Sequence, residues 1–461
     1  MSCLPDNRFS EAYKKFTELE RTSGLFDLRV GNVCAWRLVR GELFLSYMRQ
    51  RDILNDTQRV RVTRMQKLKR KSSKYLRNFK RRVKFPFNLL TATFLTFAPN
   101  RKPVLVLAFG RKSIASQRFT LPIEQHYGGS ALRLGETSAT MFPFPQVDTA
   151  SIDWISKFFS YSIPEQEIVA FSKLVSETYE IPEENISKLV RHQVSSFAKN
   201  KAFFKFLLAR KKTHSVYVCW NKHYYALLAA CEDLGVPTSE FQHGIIGHYH
   251  SQYALPEIAS VPYFPDRLLT FGPGWEKEVH LPEDAKMVSV GSTRMQAMLD
   301  KHKHIKKQDN LVVAFSQKVI SFVLFEFVIE TALKRPDLLF QYKMHPFEQP
   351  QRLLANYVGR IPENVEVVDK DTSSYALMAK ASYVMGVAST TLVESLGFGA
   401  KTLVVPFAGW ELLESFIHRR EMKRIDSPQE AADAFDELEV SETSYESYFS
   451  SPDDTNLLQV F

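Results

Sequence analysis

Two polar stretches, each directly after an apolar run, carry side chains suited to holding an anion. Lys343-Met344-His345-Pro346 follows Leu338-Leu339-Phe340, and Gly386-Val387-Ala388-Ser389-Thr390-Thr391 follows Tyr383-Val384-Met385. Pro346 has no N–H and biases His345 away from helix, so a strand ends there with an imidazole at its rim. With an ordinary pKa near ~6.5, that imidazole can carry part of a positive charge and donate to a phosphate oxygen. Lys343 lies two residues earlier, on the same strand face. Ser389-Thr390-Thr391 reads as a helix start, where hydroxyls and unpaired N–H groups form an anion site. Glu394 has two open readings. As the last residue of T-x-x-E from Thr391 it closes a capping box, and as a carboxylate one turn into the helix it accepts hydrogen bonds from ribose hydroxyls.

A third stretch, Glu240-Phe241-Gln242-His243-Gly244, ends another apolar run. His243 is a candidate general base if it reaches a substrate hydroxyl, and Gly244 permits close backbone approach. His248 and His250 complete an H-x4-H-x-H pattern, but no Cys or carboxylate stands at ligand spacing, so no metal is expected. Gly110-Arg111-Lys112-Ser113 is a turn after the run Val104–Phe109 and brings Arg111 in as a cleft residue. The G-x-S-x-G, phosphate-loop, H-E-x-x-H and kinase patterns are absent.

These turns need strands to present them. Strands are expected at 104–109, 215–220, 236–241, 268–271, 287–290, 311–315, 338–343, 365–368, 383–386 and 402–405, with helices between them. Strand and helix in alternation mean an α/β fold of parallel sheets covered on both faces. In such sheets ligands bind outside the carboxyl ends of the strands. The expected division is a helical extension over 1–102, a first α/β domain over 103–275, a second over 276–438 and a loose acidic tail over 439–461. The Gly272-Pro273-Gly274 cluster sets the interdomain boundary. Residues 120–165 read as loop-rich.

A chain of 461 residues exceeds one core. Four cysteines make no disulfide framework and fit a reducing compartment. No signal peptide and no membrane-spanning helix are expected. The net charge of +9 is concentrated: thirteen Lys or Arg and no acidic residue lie between Arg59 and Lys84. Apolar residues 85–97 follow. A cationic segment beside an apolar one suits the surface of an anionic membrane through 59–97. A solvated or intersubunit helix is the alternative, and no nucleic-acid partner is expected because no recognition module follows.

Taken together, these residues resemble a bacterial surface-polysaccharide (capsule or O-antigen) glycosyltransferase of the GT-B fold. The stretch Glu240 to Ile246 with the later His250 and Tyr253, Phe271-Gly272-Pro273-Gly274-Trp275 and Val290-Gly291-Ser292 carry part of the likeness. Lys343-Met344-His345-Pro346 and Ala388 to Leu396 are similar to the HP and ST motifs of bacterial sialyltransferases, Kdo transferases and CDP-glycerol glycerophosphotransferases. The resemblance implies two Rossmann-like domains facing a cleft, the nucleotide-sugar donor on the second and a saccharide or lipid-linked acceptor on the first. By the match, His345-Pro346 with Lys343, and Ser389, Thr390 and Thr391, hold the donor phosphate, and Glu394 the ribose. Gln242, Gly244 and Arg111 line the acceptor side. Sialyltransferases carry an acidic base in a D/E-D/E-G motif where this chain has Gln242-His243-Gly244; the departure favours His243 as the base, with Glu240 the second candidate. The implied reaction needs no cofactor and no metal. A CMP-linked acidic sugar is preferred over an NDP-sugar. The alternatives are a glycerophosphotransferase and a non-catalytic scaffold of the same fold. The implied location is cytoplasmic, on the inner face of the membrane.

Overall fold

The structure is a computed structural model that describes residues 7–53, 89–98, 104–109, 131–135, 146–255, 260–317, 320–346, 348, 350–369, 371–439 and 445–452. Arg111 and the basic segment up to residue 88 lie outside the described residues. Two sheets organise the chain. The first runs β3-β2-β1-β4-β5-β6-β7 and the second β10-β9-β8-β11-β12-β13, and every pairing is parallel. In the first sheet the strands are β1 Val104–Phe109, β2 Ala131–Gly135, β3 Gln146–Asp148, β4 Thr213–Cys219, β5 Thr238–Phe241, β6 Arg267–Thr270 and β7 Lys286–Ser289. In the second they are β8 Gln308–Phe315, β9 Leu339–Lys343, β10 Val365–Val368, β11 Ala381–Gly386, β12 Lys401–Val404 and β13 Lys423–Arg424. Each order reverses once, between β1 and β4 and between β8 and β11. This is the doubly wound Rossmann pattern, whose crevice opens at the reversal. The expected pair of Rossmann-like domains is present.

The stretch from Leu338 to Val405 folds as expected. Two strands and a short helix lead to the helix Ser374–Lys380, then β11, the helix Thr390–Gly397 and β12. Leu311 to Phe315 of β8 are all buried, which is why that strand reads as a continuous apolar run. The helix Tyr225–Leu234 stops at Gly235, whose φ of +64° is the left-handed conformation that ends helices cheaply.

Three expectations change. Residues 287–290 do not open the second domain. As β7 they pair with β6 and close the first sheet. The chain leaves that sheet at Gly291, with φ +76°, and Ser292 caps the next helix through the N–H of Met295. Second, the interval 120–165 holds β2 and β3, both short. Third, the tail is not loose where it is described. Tyr448 and Phe449 are buried, the indole N–H of Trp275 donates to the Tyr448 carbonyl at 2.8 Å, and the Ser450 N–H donates to the Phe271 carbonyl at 2.9 Å. The tail crosses directly over the Gly272-Pro273-Gly274 cluster. A side chain at Gly272 would stand 2.5 Å from the Ser447 carbonyl oxygen, so the glycines there admit the tail.

The N-terminal helices Arg8–Thr22 and Ala35–Gln50 share the core of the first domain. Phe16 packs against Trp36 at 5.8 Å, and Tyr179 stacks on Trp36 at 5.5 Å with rings 8° apart. Under them lies an ion pair, Glu20 with Arg40, both buried.

Candidate active site

His243 stands just past β5, at the carboxyl rim of the first sheet. Glu240, three residues earlier and within the strand, is wholly enclosed. Its carboxylate accepts from the Asn221 N–H at 3.0 Å, the Asn221 amide at 2.7 Å and the Tyr253 hydroxyl at 2.7 Å. Burial pushes its pKa up, and the Tyr253 and Asn221 donors and the charge of Arg37 hold it down. Glu240 therefore stands behind the rim rather than on it.

Tyr253 links the two. Its oxygen lies 3.3 Å from His243 Nδ1. A phenol has one proton, and at 2.7 Å that proton goes to Glu240. The Tyr253 oxygen is then the acceptor, Nδ1 carries the imidazole hydrogen and Nε2 keeps its lone pair. Burial, with a smaller contribution from His223, brings the His243 pKa down to about 4. The ring is neutral at ordinary pH, as a general base must be. Trp220 lies face to face with it, at 5.3 Å and 23°. Trp220 itself has φ +68°, a backbone conformation that costs of order 1 kcal/mol or more in a non-glycine residue and that clusters at functional sites. The other two histidines split: His250 packs 4.9 Å from the Tyr253 ring, whereas His248 is exposed and lies 5.9 Å from His280.

Gln242 is buried and braces the turn. Its amide oxygen accepts from the Phe271 N–H and its amide nitrogen donates to the Gly244 carbonyl, both at 2.9 Å. Gly244 then meets the second domain. A side chain there would stand 3.2 Å from Thr390 Oγ1, and the next N–H, of Ile245, donates to that oxygen at 3.2 Å. The candidate base and the helix start Ser389-Thr390-Thr391 thus form facing walls.

On that second wall Ser389 is the helix cap. Its hydroxyl accepts from the Thr391 N–H at 3.3 Å and the Thr391 hydroxyl at 2.7 Å. The capping box from Thr391 to Glu394 does not form, because the helix starts two residues earlier. Glu394 instead accepts from the Tyr375 hydroxyl at 2.9 Å, and Arg294 lies over the Tyr375 ring at 5.2 Å. Burial raises the Glu394 pKa, offset by Arg294 and then Tyr375. His345 lies two residues past β9, one strand from β8, with its N–H donating to Glu348 at 3.0 Å; Pro346 is exposed beside it. Lys343 is buried, and its ammonium donates to the Asp369 carbonyl at 2.9 Å. That direction takes it toward the end of β10.

Trp220, Asn221 and the role of Tyr253 escaped the sequence reading. The only local signal was an aromatic residue closing the expected strand 215–220. The contact between Tyr253 and Glu240 follows from the path of a loop, not from spacing.

The half-buried imidazoles of His243 and His250 predict acid sensitivity. Burial, then the neighbouring His243, pushes His250 down to about 3. A histidine held neutral in the fold but free to protonate near ~6.5 when unfolded makes the unfolded chain the better proton binder between those values. Stability therefore falls as pH drops below ~6.5, by up to about 2 kcal/mol per histidine at pH ~5. Urea unfolding at neutral and mildly acidic pH should show a smaller loss for His250→Gln than for the unsubstituted protein.

No protein-family model and no curated protein matches the sequence. Solved structures of similar architecture include a UDP-GlcNAc 2-epimerase from Neisseria meningitidis bound to UDP-GlcNAc (12% identity, 77% of this chain and 98% of that one, TM-score 0.48). They also include CalG4, the calicheamicin glycosyltransferase (11% identity, 78% and 95%, TM-score 0.45). A third is S. aureus MnaA with UDP (14% identity, 73% and 87%, TM-score 0.42).

Proposed function

We propose that the protein is a glycosyltransferase of GT-B architecture that moves a sugar from a nucleotide-activated donor to a saccharide acceptor. One observation carries this reading. A neutral imidazole stands on one Rossmann-like rim, and two residues further on the Ile245 N–H donates to Thr390 of the hydroxyl-rich helix start on the other. His243 Nε2 takes the proton of the acceptor hydroxyl. The acceptor oxygen attacks the anomeric carbon, and the bond to the nucleotide breaks with its electron pair leaving on phosphate oxygen. The helix start at Ser389 and Thr390, with His345, offsets that charge, so the proposed reaction uses no metal and no cofactor. Glu394 accepts from the ribose. The motifs favour a CMP-linked acidic sugar over an NDP-sugar, and a bacterial surface glycan as acceptor at the cytoplasmic face of the membrane.

Calorimetric titration with CMP, UDP and GDP tests the reading. One nucleotide should bind about tenfold or more tightly than the others, and Ser389→Ala and His345→Ala should each weaken it by about tenfold, the loss of a hydrogen bond to a charged group. Binding of none of the three would sink the proposal. A product whose mass shows a new phosphodiester would replace it with glycerophosphate transfer.

A further inference from the structure

A helix over residues 89–97 packs its Ala92 and Thr96 inward and leaves Leu90, Phe94 and Phe97 on its outer side. Those positions are four and three apart, so they form one stripe. The stripe continues onto neighbouring elements. Phe97 contacts Phe206 at 5.5 Å, Phe206 contacts Phe159 at 6.4 Å, and next to Phe159 in the chain Phe158 packs against Trp154 at 5.0 Å. Leu90, Phe94, Phe97, Trp154, Phe158 and Phe206 are between 37% and 72% exposed. Single exposed apolar residues are ordinary, but a contiguous aromatic face marks a contact surface.

We propose that this face docks the protein onto an anionic lipid surface. The charge around it selects that occupant. The helix follows, by only four residues, the run of thirteen Lys or Arg without an acidic residue. Lys157 lies exposed between Trp154 and Phe158, and the Arg210 guanidinium donates to the Phe97 carbonyl at the end of the stripe. Cationic groups beside an aromatic face, with Asp153 the exposed carboxylate next to Trp154, match lipid phosphates around acyl chains. A second copy of the chain would instead bring two such cationic runs together. Among the described residues no helix is long and apolar enough to cross a membrane, so the contact lies in the interface, where Trp and Lys are favoured. The helix precedes β1 and Phe206 precedes β4, which places the face toward the edge where the strands begin. His243 follows the end of β5, so lipid and cleft do not compete. This inference is independent of the reaction proposed above.

The test is flotation of the full-length protein with phosphatidylcholine vesicles, with and without phosphatidylglycerol, at low and high salt. Binding should require the anionic lipid and weaken with salt. Leu90→Ser with Phe94→Ser and Phe158→Ser should lower partitioning by about tenfold or more. Val358→Ser, which removes an exposed apolar residue of the second domain, should leave it unchanged. Thermal melting and the nucleotide titration should match between the triple variant and the unsubstituted protein, which separates lost docking from lost folding. Equal flotation of the triple variant, or no flotation of the unsubstituted protein, overturns the proposal. So does a dimer in vesicle-free sedimentation that the triple variant converts to monomer.

Discussion

His243→Asn is expected to lower turnover by about 10²- to 10³-fold, the usual contribution of a positioned general base, while nucleotide affinity stays within about twofold. The split follows from where the residue sits. His243 belongs to the first sheet's rim, and the groups assigned to the nucleotide, Ser389, Thr390 and His345, belong to the second. Asparagine keeps a polar group against Trp220 without a titratable nitrogen. Tyr253→Phe is the sharper companion. It keeps the ring but removes the oxygen that receives the Nδ1 hydrogen and the donor that Glu240 uses. The imidazole is then free to take the other tautomer, with its hydrogen on Nε2, and turnover should fall about tenfold or more. Nitrogen-15 shifts of the His243 ring should report that change of tautomer, which a packing defect would not produce. The acid limb of kcat/KM should lie nearer about 4 than the ordinary value for histidine. An acid limb unchanged in His243→Asn would assign the base elsewhere.

Much of this site could be read before its walls were brought together. β9, β10 and β11 announced themselves as apolar runs ended by Pro, Asp or Gly, and the polar turn after β11 lies where a parallel sheet presents ligands. What the sequence concealed depends on distance in space. Glu240 stands second to His243 as a candidate base because both lie in the short stretch that ends β5. Only the fold shows one enclosed by Asn221 and Tyr253 and the other at the rim. β3, with the residues Gln146-Val147-Asp148, is too short for any periodicity to register. Tyr448 and Phe449 lie in an acidic, serine-rich stretch. They are ordered by Trp275 and Phe271, more than 170 positions away.

The N-terminal helices, expected as an extension, support the site, and Glu20→Ala should show it. Glu20 accepts from the Trp36 indole and from Arg40, one of whose bonds, from Nη2, is 2.8 Å long. Arg40 in turn donates to the Ser251 carbonyl, and the Tyr13 hydroxyl donates to the Ala254 carbonyl at 2.8 Å. Arg40, oriented by Glu20, and Tyr13 thus hold the two ends of the short segment that contains Gln252 and Tyr253. Removing one partner strands a buried guanidinium, at a cost of about 3–5 kcal/mol. Replacing both, as Glu20→Leu with Arg40→Met, strands no charge and should recover most of that stability in urea unfolding. It should not recover turnover, because the Ser251 carbonyl loses its donor and Tyr253 its fixed position behind His243. If the double variant is both stable and fully active, the helices hold the first domain together without positioning the base.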